Sequence, residues 1–290
     1  MKRIKLLLFI CIIGGAFFIF QERDIKLAEW MLGSGPVKVE GKAVVLVDEN
    51  TGETLFAKNK NEKKYPASTT KLLTALVVLD KASPEEKVQV GNEIRMSREG
   101  EARAGLFEGQ VQTVEELLAA MLLQSGNDAA RTLAVYTAGK EYGHALSTDQ
   151  AMTAFAELMN KKGMELGLKG SHFTNPHGLH DPKHFSTAED LAAIAHAAIT
   201  NGQIRGIVNR ETYSTMTHTY SNRNRLMVRD SPYYFSSATG MKTGFTDEAG
   251  YCLISSAEAG GKQVIAVVLD SGKDSVYTDT ISMLNYGLNR

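Results

Sequence analysis

Apolar residues fall along this chain in strand-like runs at both ends and helical spacings between them, and that order predicts the fold. Ala43-Val-Val-Leu-Val-Asp48 is a continuous apolar run of strand length, and Glu49-Asn-Thr-Gly52 turns it into Thr54-Leu-Phe-Ala57, so a hairpin is expected. Leu72 to Asp80 follows Pro66, which suits a first helical turn, and no glycine or proline interrupts it. Thr113-Val-Glu-Glu116 fits a capping box ahead of the apolar stretch Leu117 to Leu123. Further helices are expected over Asp128 to Thr137, Thr148 to Lys161 and Thr187 to Thr200, the last opened by Ser186-Thr-Ala-Glu189. The polar, glycine-bearing stretch Arg95 to Gly109 reads as loop or short strands. Strands return at Tyr251 to Ala257 and Gln263 to Leu269, joined by Gly260-Gly261, before a last helix from Ser275 to Leu288. Strands at both ends with helices between predict an α+β fold.

A different pattern occupies the first 20 residues. Lys2, Arg3 and Lys5 precede Leu6 to Phe20, which carries no charge, and Gln21-Glu-Arg-Asp24 ends the apolar run. This is the pattern of an export signal. Its small cluster, Gly14-Gly-Ala16, lies inside the apolar core and is followed by Phe17-Phe-Ile-Phe20, so cleavage there would leave an apolar new terminus. Ile4 to Phe20 reaches the short end of what spans a bilayer. An uncleaved anchor with its basic end in the cytoplasm is the preferred expectation. Residues 1–20 are thus a signal or membrane anchor segment, and 21–36, with Gly33-Ser-Gly-Pro36, are a linker.

With 43% hydrophobic and 22% charged residues in 290, the rest of the chain is long enough for a substantial core. The net charge of -1 and the absence of a basic tract after the first residues give no footing for nucleic acid. Cys11 and Cys252 read as free thiols.

Candidate chemistry begins at Tyr65-Pro-Ala-Ser-Thr-Thr-Lys71, where Ser68 and Lys71 are three apart and would share one helical face. A serine hydroxyl becomes a nucleophile when a base takes its proton, and a desolvated lysine serves if its pKa is pushed down. A helix start would also favour a developing oxyanion. Roughly one Ser-x-x-Lys arises by accident in a chain this long, so the pair alone decides nothing. Two further words change that: Ser125-Gly-Asn127 between two helices, and Lys242-Thr-Gly244 before the C-terminal hairpin.

Ser-x-x-Lys, Ser-Asp-Asn and Lys-Thr-Gly together mark penicillin-binding proteins and class A β-lactamases; here Gly126 stands in place of the aspartate. Further words are Asn175-Pro-His-Gly-Leu179, Asn222-Arg-Asn224 and Gly240-Met-Lys-Thr-Gly-Phe-Thr-Asp-Glu-Ala-Gly-Tyr251. On these residues the chain, over essentially Val37 to Arg290, resembles the serine D-Ala-D-Ala carboxypeptidases among the low-molecular-mass penicillin-binding proteins. The resemblance implies a β-lactamase/DD-peptidase-like α+β fold, with an antiparallel sheet from both chain ends flanked by helices, plus a mainly helical lobe. It implies one catalytic domain over 37–290 with no additional C-terminal domain.

It also implies roles. Ser68 attacks the terminal D-Ala-D-Ala carbonyl and forms an acyl-enzyme with Lys71 as base. Ser125 and Lys242 lie across the cleft, supplying a proton to the leaving amine and tuning Lys71. Asn127 binds the substrate amide, the backbone N–H groups of Ser68 and Phe245 form the oxyanion hole, and Gly244 keeps the approach open. Thr243 and Arg223 hold the terminal carboxylate. The implied partners are peptidoglycan pentapeptide stems, β-lactam antibiotics as covalent inhibitors and, through the N-terminal segment, the extracytoplasmic face of a bacterial cell membrane. No cofactor or metal is implied. A β-lactamase and a catalytically silent penicillin or cell-wall sensor are the alternatives; the complete set of site residues speaks against the sensor.

Other signals are weaker. His172, His177, His180 and His184 with Asp181 would by spacing raise zinc, which the resemblance does not need. Gly240-Met-Lys-Thr243 lacks the adjacency of a phosphate loop. Glu157 could stand for a deacylating carboxylate, but it lies in a helical pattern as a solvated residue.

Overall fold

The computed structural model describes residues 10–13, 16–19 and 37–290, in a unit ending at Val39 and a unit from Glu40 to Arg290. In the first unit Ile10–Ile13 (β1) and Ala16–Ile19 (β2) pair antiparallel, Cys11 opposite Phe18. The basic residues of the expected export signal and the whole of the expected linker, 21–36, lie outside the described residues. Among the described residues no helix is long and apolar enough to cross a membrane.

The second unit is built on a five-stranded antiparallel sheet. Ala43–Asp48 (β3) and Thr54–Lys58 (β4) form the expected N-terminal hairpin. Past the short strands Lys87–Gln89 (β5), Val111–Thr113 (β6), Thr212–Ser214 (β7) and Thr219–Ser221 (β8) come Ala238–Thr246 (β9), Gly250–Ala259 (β10) and Lys262–Ser271 (β11). The order across the sheet is β4-β3-β11-β10-β9, so the two chain ends meet at β3 and β11. Gly260 and Gly261 both have positive φ, +58° and +78°, as the tight β10–β11 turn requires. β9, which carries Lys242-Thr-Gly244, is an edge strand with its outer side free for other contacts.

Seven helices complete this unit: Lys71–Leu79 (α1), Val114–Leu122 (α2), Asn127–Tyr142 (α3), Thr148–Glu165 (α4), Ala188–Thr200 (α5), Gly202–Val208 (α6) and Ser275–Leu288 (α7). The α2 capping box forms as its sequence predicts, Thr113 accepting from the Glu116 N–H and Glu116 from the Thr113 N–H. In β3 and β11 side chains alternate between two buried layers. Val45, Val47, Ile265 and Val267 join the main core with the helices, while Leu46 and Val264 lie against α7 at Gly287. α1 is apolar nearly all round, KLLTALVVL, and the helical lobe encloses it: every residue from Lys71 to Val78 is buried. Burying Lys71 there is costly, because an ammonium cannot be moved out of water without compensation.

Candidate active site

Pro66 does not open an α-helix. It caps a 3-10 turn, Ala67–Thr70, and α1 starts only at Lys71. The tighter turn eclipses positions three apart, which sets Lys71 directly over Ser68. Lys71 Nζ lies 2.8 Å from Ser68 Oγ, 2.7 Å from Asn127 Oδ1 and 2.7 Å from the His177 carbonyl oxygen. Burial, with the nearby charges of Lys242 and Arg131, holds its pKa well below the usual lysine value. A neutral amine has two N–H bonds and one lone pair. Asn127 Oδ1 and the His177 carbonyl can only accept, so they take the two N–H bonds. In that neutral state the lone pair is left for Ser68 Oγ–H, the one partner able to donate, whose hydroxyl also lies 3.4 Å from the His177 carbonyl oxygen. Lys71 is thereby oriented as a base toward the serine proton.

The second motif frames this pair. Ser125 is buried, with φ +64°, in the loop before α3, and Asn127 is the first residue of that helix. Among the described residues no hydrogen bond joins Ser125 to Lys71 or to Lys242. The glycine between them has a steric cause: a Cβ at residue 126 would lie 2.7 Å from Ala104 Cβ, 2.8 Å from Asp128 Oδ1 and 3.0 Å from Ala104 N. Asp128 fills that space with its carboxylate, accepting the N–H groups of Ala104, Gly105 and Leu106 at 2.8 to 3.1 Å. The Ala102 carbonyl accepts from Asn127 N–H, and Arg131 forms a bidentate ion pair with Glu101, both side chains at most 3% exposed. The stretch Arg95 to Gly109 is therefore a loop tied to α3, apart from the 3-10 turn Asn92–Met96 at its start. Asp128, Arg131 and Glu101 escaped the sequence reading, although Asp128 directly follows the motif.

On the opposite side β9 runs against the turn that carries Ser68. A Cβ at residue 244 would come within 3.0 Å of both Pro66 O and Ser68 N. Gly244 is thus required for strand-to-turn contact, a different reason from access for substrate. The contact sets Gly244, the residue before Phe245, against the Ser68 N–H, which has no protein acceptor among the described residues. The Phe245 side chain is 50% exposed and packs on Tyr251 at 4.4 Å. Thr243 is half-buried. Lys242 is buried and donates to the Thr243 carbonyl oxygen at 2.9 Å. Burial and the neighbouring Arg223 charge lower its pKa to about 7. Arg223 is exposed between two buried asparagines that fix the backbone around it. Asn222 donates to Val208 O and Arg210 O, Asn224 donates to Gly240 O at the head of β9, and the Arg223 N–H itself donates to Leu123 O. Its guanidinium is close enough to Lys242 for its charge to lower the Lys242 pKa.

Asn175-Pro-His-Gly-Leu179 supplies the third wall. Asn175 Oδ1 accepts from the Gly178 N–H at 2.7 Å and its amide donates to Leu179 O, closing a turn that aims the His177 carbonyl at Lys71 and Ser68. This backbone role could not be read from the motif. The histidines are engaged otherwise than as a metal cluster. His177 Nδ1 accepts from the Leu179 N–H, His172 Nδ1 meets Lys183 O, His180 packs edge-on against Tyr65, and His184 bonds within the nucleophile wall. Among the described residues no group of His, Cys, Asp and Glu is arranged to hold a metal ion. Glu157 is exposed on α4.

Comparison with known proteins agrees with this geometry. The family model for D-alanyl-D-alanine carboxypeptidase (Peptidase_S11) matches residues 31–273. The D-alanyl-D-alanine carboxypeptidase DacF of Bacillus subtilis is 34% identical over 79% of this chain, and the chain spans 57% of that protein's length. The D-alanyl-D-alanine carboxypeptidase of Streptomyces sp. strain K15 is 30% identical over 90% of this chain and 94% of its own. The crystal structure of the Streptomyces K15 DD-transpeptidase superposes with a TM-score of 0.78 at 31% identity, covering 87% of this chain and 98% of that one. Penicillin-binding protein D2 of Listeria monocytogenes, in its ampicillin-bound form, gives 0.72 at 29% identity over 86% and 98%.

Proposed function

The chain belongs to the D-alanyl-D-alanine carboxypeptidase family, and from that premise we propose that it hydrolyses the terminal D-Ala-D-Ala bond of peptidoglycan stem peptides through an acyl-serine at Ser68. The observation that carries this reading is the Lys71 amine, buried, held by two carbonyl acceptors and facing Ser68 Oγ at 2.8 Å. In the acylation step Ser68 Oγ forms a bond to the carbonyl carbon as its proton passes to Lys71 Nζ. The Ser68 and Phe245 N–H groups receive the oxyanion, and Asn127 binds the substrate amide. As the C–N bond breaks, the proton returns to the departing D-alanine amine, with Ser125 as the relay. Water then hydrolyses the ester. Thr243, Lys242 and Arg223 form the cationic end of the cleft that binds the free carboxylate of the last residue.

A penicillin presents a strained amide and a carboxylate to the same groups and acylates Ser68, but its leaving group stays tethered where water must enter. Incubation with a synthetic pentapeptide is expected to release D-alanine, seen by mass spectrometry. The penicilloyl-enzyme is expected to turn over slowly, and Glu157→Gln to leave both reactions within about threefold, since an exposed helical carboxylate supplies no positioned base. Fast penicillin hydrolysis abolished by Glu157→Gln, with no D-alanine released, would establish a β-lactamase instead. Slow labelling with neither hydrolysis would establish a sensor.

The export pattern of the first 20 residues supports a position on the extracytoplasmic face of a bacterial membrane, held by the uncleaved segment. The full chain is then expected to sediment with membranes and to start at Met1. A mature terminus mapped between Gly15 and Gly35 would remove the anchor and leave export standing.

A further inference from the structure

The nucleophile turn is held in a conformation that its own residues disfavour. Ala67 has φ +48°, in the left-handed region that a non-glycine residue occupies only where its surroundings over-determine it. Two threonines tie the turn down. Thr69 Oγ1 donates to Pro66 O at 2.6 Å, a local bond within the turn. Thr70, the residue before Lys71, reaches out of it: Thr70 Oγ1 lies 2.9 Å from His184 Nε2, and both residues are buried. The other ring nitrogen, His184 Nδ1, accepts the Thr174 N–H at 3.1 Å and so carries no proton. The neutral ring then has its proton on Nε2, and His184 donates to Thr70 Oγ1.

His184 therefore joins two walls of the site. One is the turn that carries Ser68 and ends at Lys71. The other begins at Thr174 and runs directly into His177, whose carbonyl holds Lys71 Nζ. Thr74 Oγ1, one turn further along α1, donates to Pro176 O at 2.7 Å and repeats the same connection. The edge of Phe173 against the imidazole, centroids 5.5 Å apart, blocks rotation of the ring. Burial keeps the ring neutral, with its pKa lowered to about 4; the Asp181 charge opposes that lowering, and His172, Lys71 and His180 reinforce it.

We infer that His184 is a positioning residue for acylation, holding Ser68 and Lys71 at proton-transfer spacing through its Nε2–H bond to Thr70. The inference rests on the acyl-serine reading of the site. Its test separates the two bonds of the ring. His184→Gln places an amide N–H where Nε2–H stood, whereas His184→Asn keeps an acceptor near Nδ1 but cannot reach Thr70. Thr70→Val removes the hydroxyl with little change of shape, and Thr70→Ser retains it. Stopped-flow reaction with a fluorescent penicillin gives the acylation rate constant and the dissociation constant of the preceding complex separately.

His184→Asn and Thr70→Val are each expected to slow acylation roughly 10- to 100-fold with binding changed less than about threefold, because misplacement of reacting groups falls on the chemical step. His184→Gln and Thr70→Ser are expected to recover most of the rate. The double variant should be no slower than either parent, since one bond is lost in all three. A labelled wild type whose His184→Asn form acylates at full rate, or whose two losses multiply in the double variant, would overturn the inference alone. So would losses confined to binding or to melting temperature. A wild type that takes no label overturns the acyl-serine reading, and this inference with it.

Discussion

Replacing Lys71 with arginine is expected to suppress acylation of Ser68 by about 10²- to 10⁴-fold, the range that a positioned base contributes, although the positive charge is kept. Lys71 is proposed to act as base because its lowered pKa favours the neutral amine. It is fully buried, and that burial depresses its pKa. A guanidinium stays protonated at any working pH and offers five N–H donors where the site supplies two carbonyl acceptors and one hydroxyl. It would satisfy the carbonyls and leave the serine proton with nowhere to go. Ser68→Ala, measured beside it, is expected to take no penicillin at all, which fixes the floor of the assay.

The same residue sets the pH dependence of the wild type. On the proposed mechanism acylation needs Lys71 deprotonated, so the rate is expected to rise with pH through its lowered pKa. Carboxylate binding by Lys242, as proposed, needs it protonated, so the rate is expected to fall as pH passes through about 7, to which burial lowers its pKa. A bound carboxylate stabilises the ammonium, so the descending limb of kcat should lie at higher pH than that of kcat/KM. The arginine variant should lack the ascending limb. Retention of that limb, or of most of the acylation rate, would move the base to Ser125 or Lys242.

Elements with strong local signals were legible in the sequence. The β3–β4 hairpin, the capped start of α2, the Gly260-Gly261 turn and the bounds of α7 all follow from apolar period and turn chemistry, because each is decided by residues close in the chain. What escaped is short or is decided by distant contacts. The strands β5 to β8 are three residues each, too short to show alternation. α3 continues past Thr137 to Tyr142 and ends at Gly143 in the left-handed region, a stop signal that the apolar pattern does not reach. The candidate site divides the same way. Side-chain chemistry marked Ser68, Lys71, Asn127 and Lys242, and the fold brings them to one cleft. Backbone roles left no such mark. The His177 carbonyl, the packing of Gly244 on Ser68 N, and the Ala104 and Asp128 atoms that crowd residue 126 depend on which chain segment lies opposite. Residue identity alone cannot express that.

Gly178 shows how much the site depends on such an approach, and Gly178→Ala is expected to cost both acylation and stability. The residue has φ +82°, and a Cβ there would lie 1.9 Å from the Ala67 carbonyl oxygen, 2.4 Å from its carbon and 2.9 Å from Thr70 Oγ1. Two of those three atoms are backbone of the nucleophile turn, so no rotamer change relieves the overlap. The turns must separate. Separation draws the His177 carbonyl away from Lys71 and Ser68, which removes an acceptor from the amine and frees it to rotate off the serine. A displacement of that kind is expected to slow acylation on the order of 100-fold. Gly52→Ala isolates the conformational part of the cost. Gly52 also has positive φ, +70°, but nothing lies within 4 Å of the added carbon. That variant should lose about 1 kcal/mol of stability from the left-handed backbone and keep its full acylation rate. Thermal melts and penicillin labelling of the two variants, run together, separate strain from displacement. A Gly178→Ala chain that matches Gly52→Ala in both measurements would mean that the His177 carbonyl reaches Lys71 without the close approach, and that the third wall of the site is not needed for proton transfer.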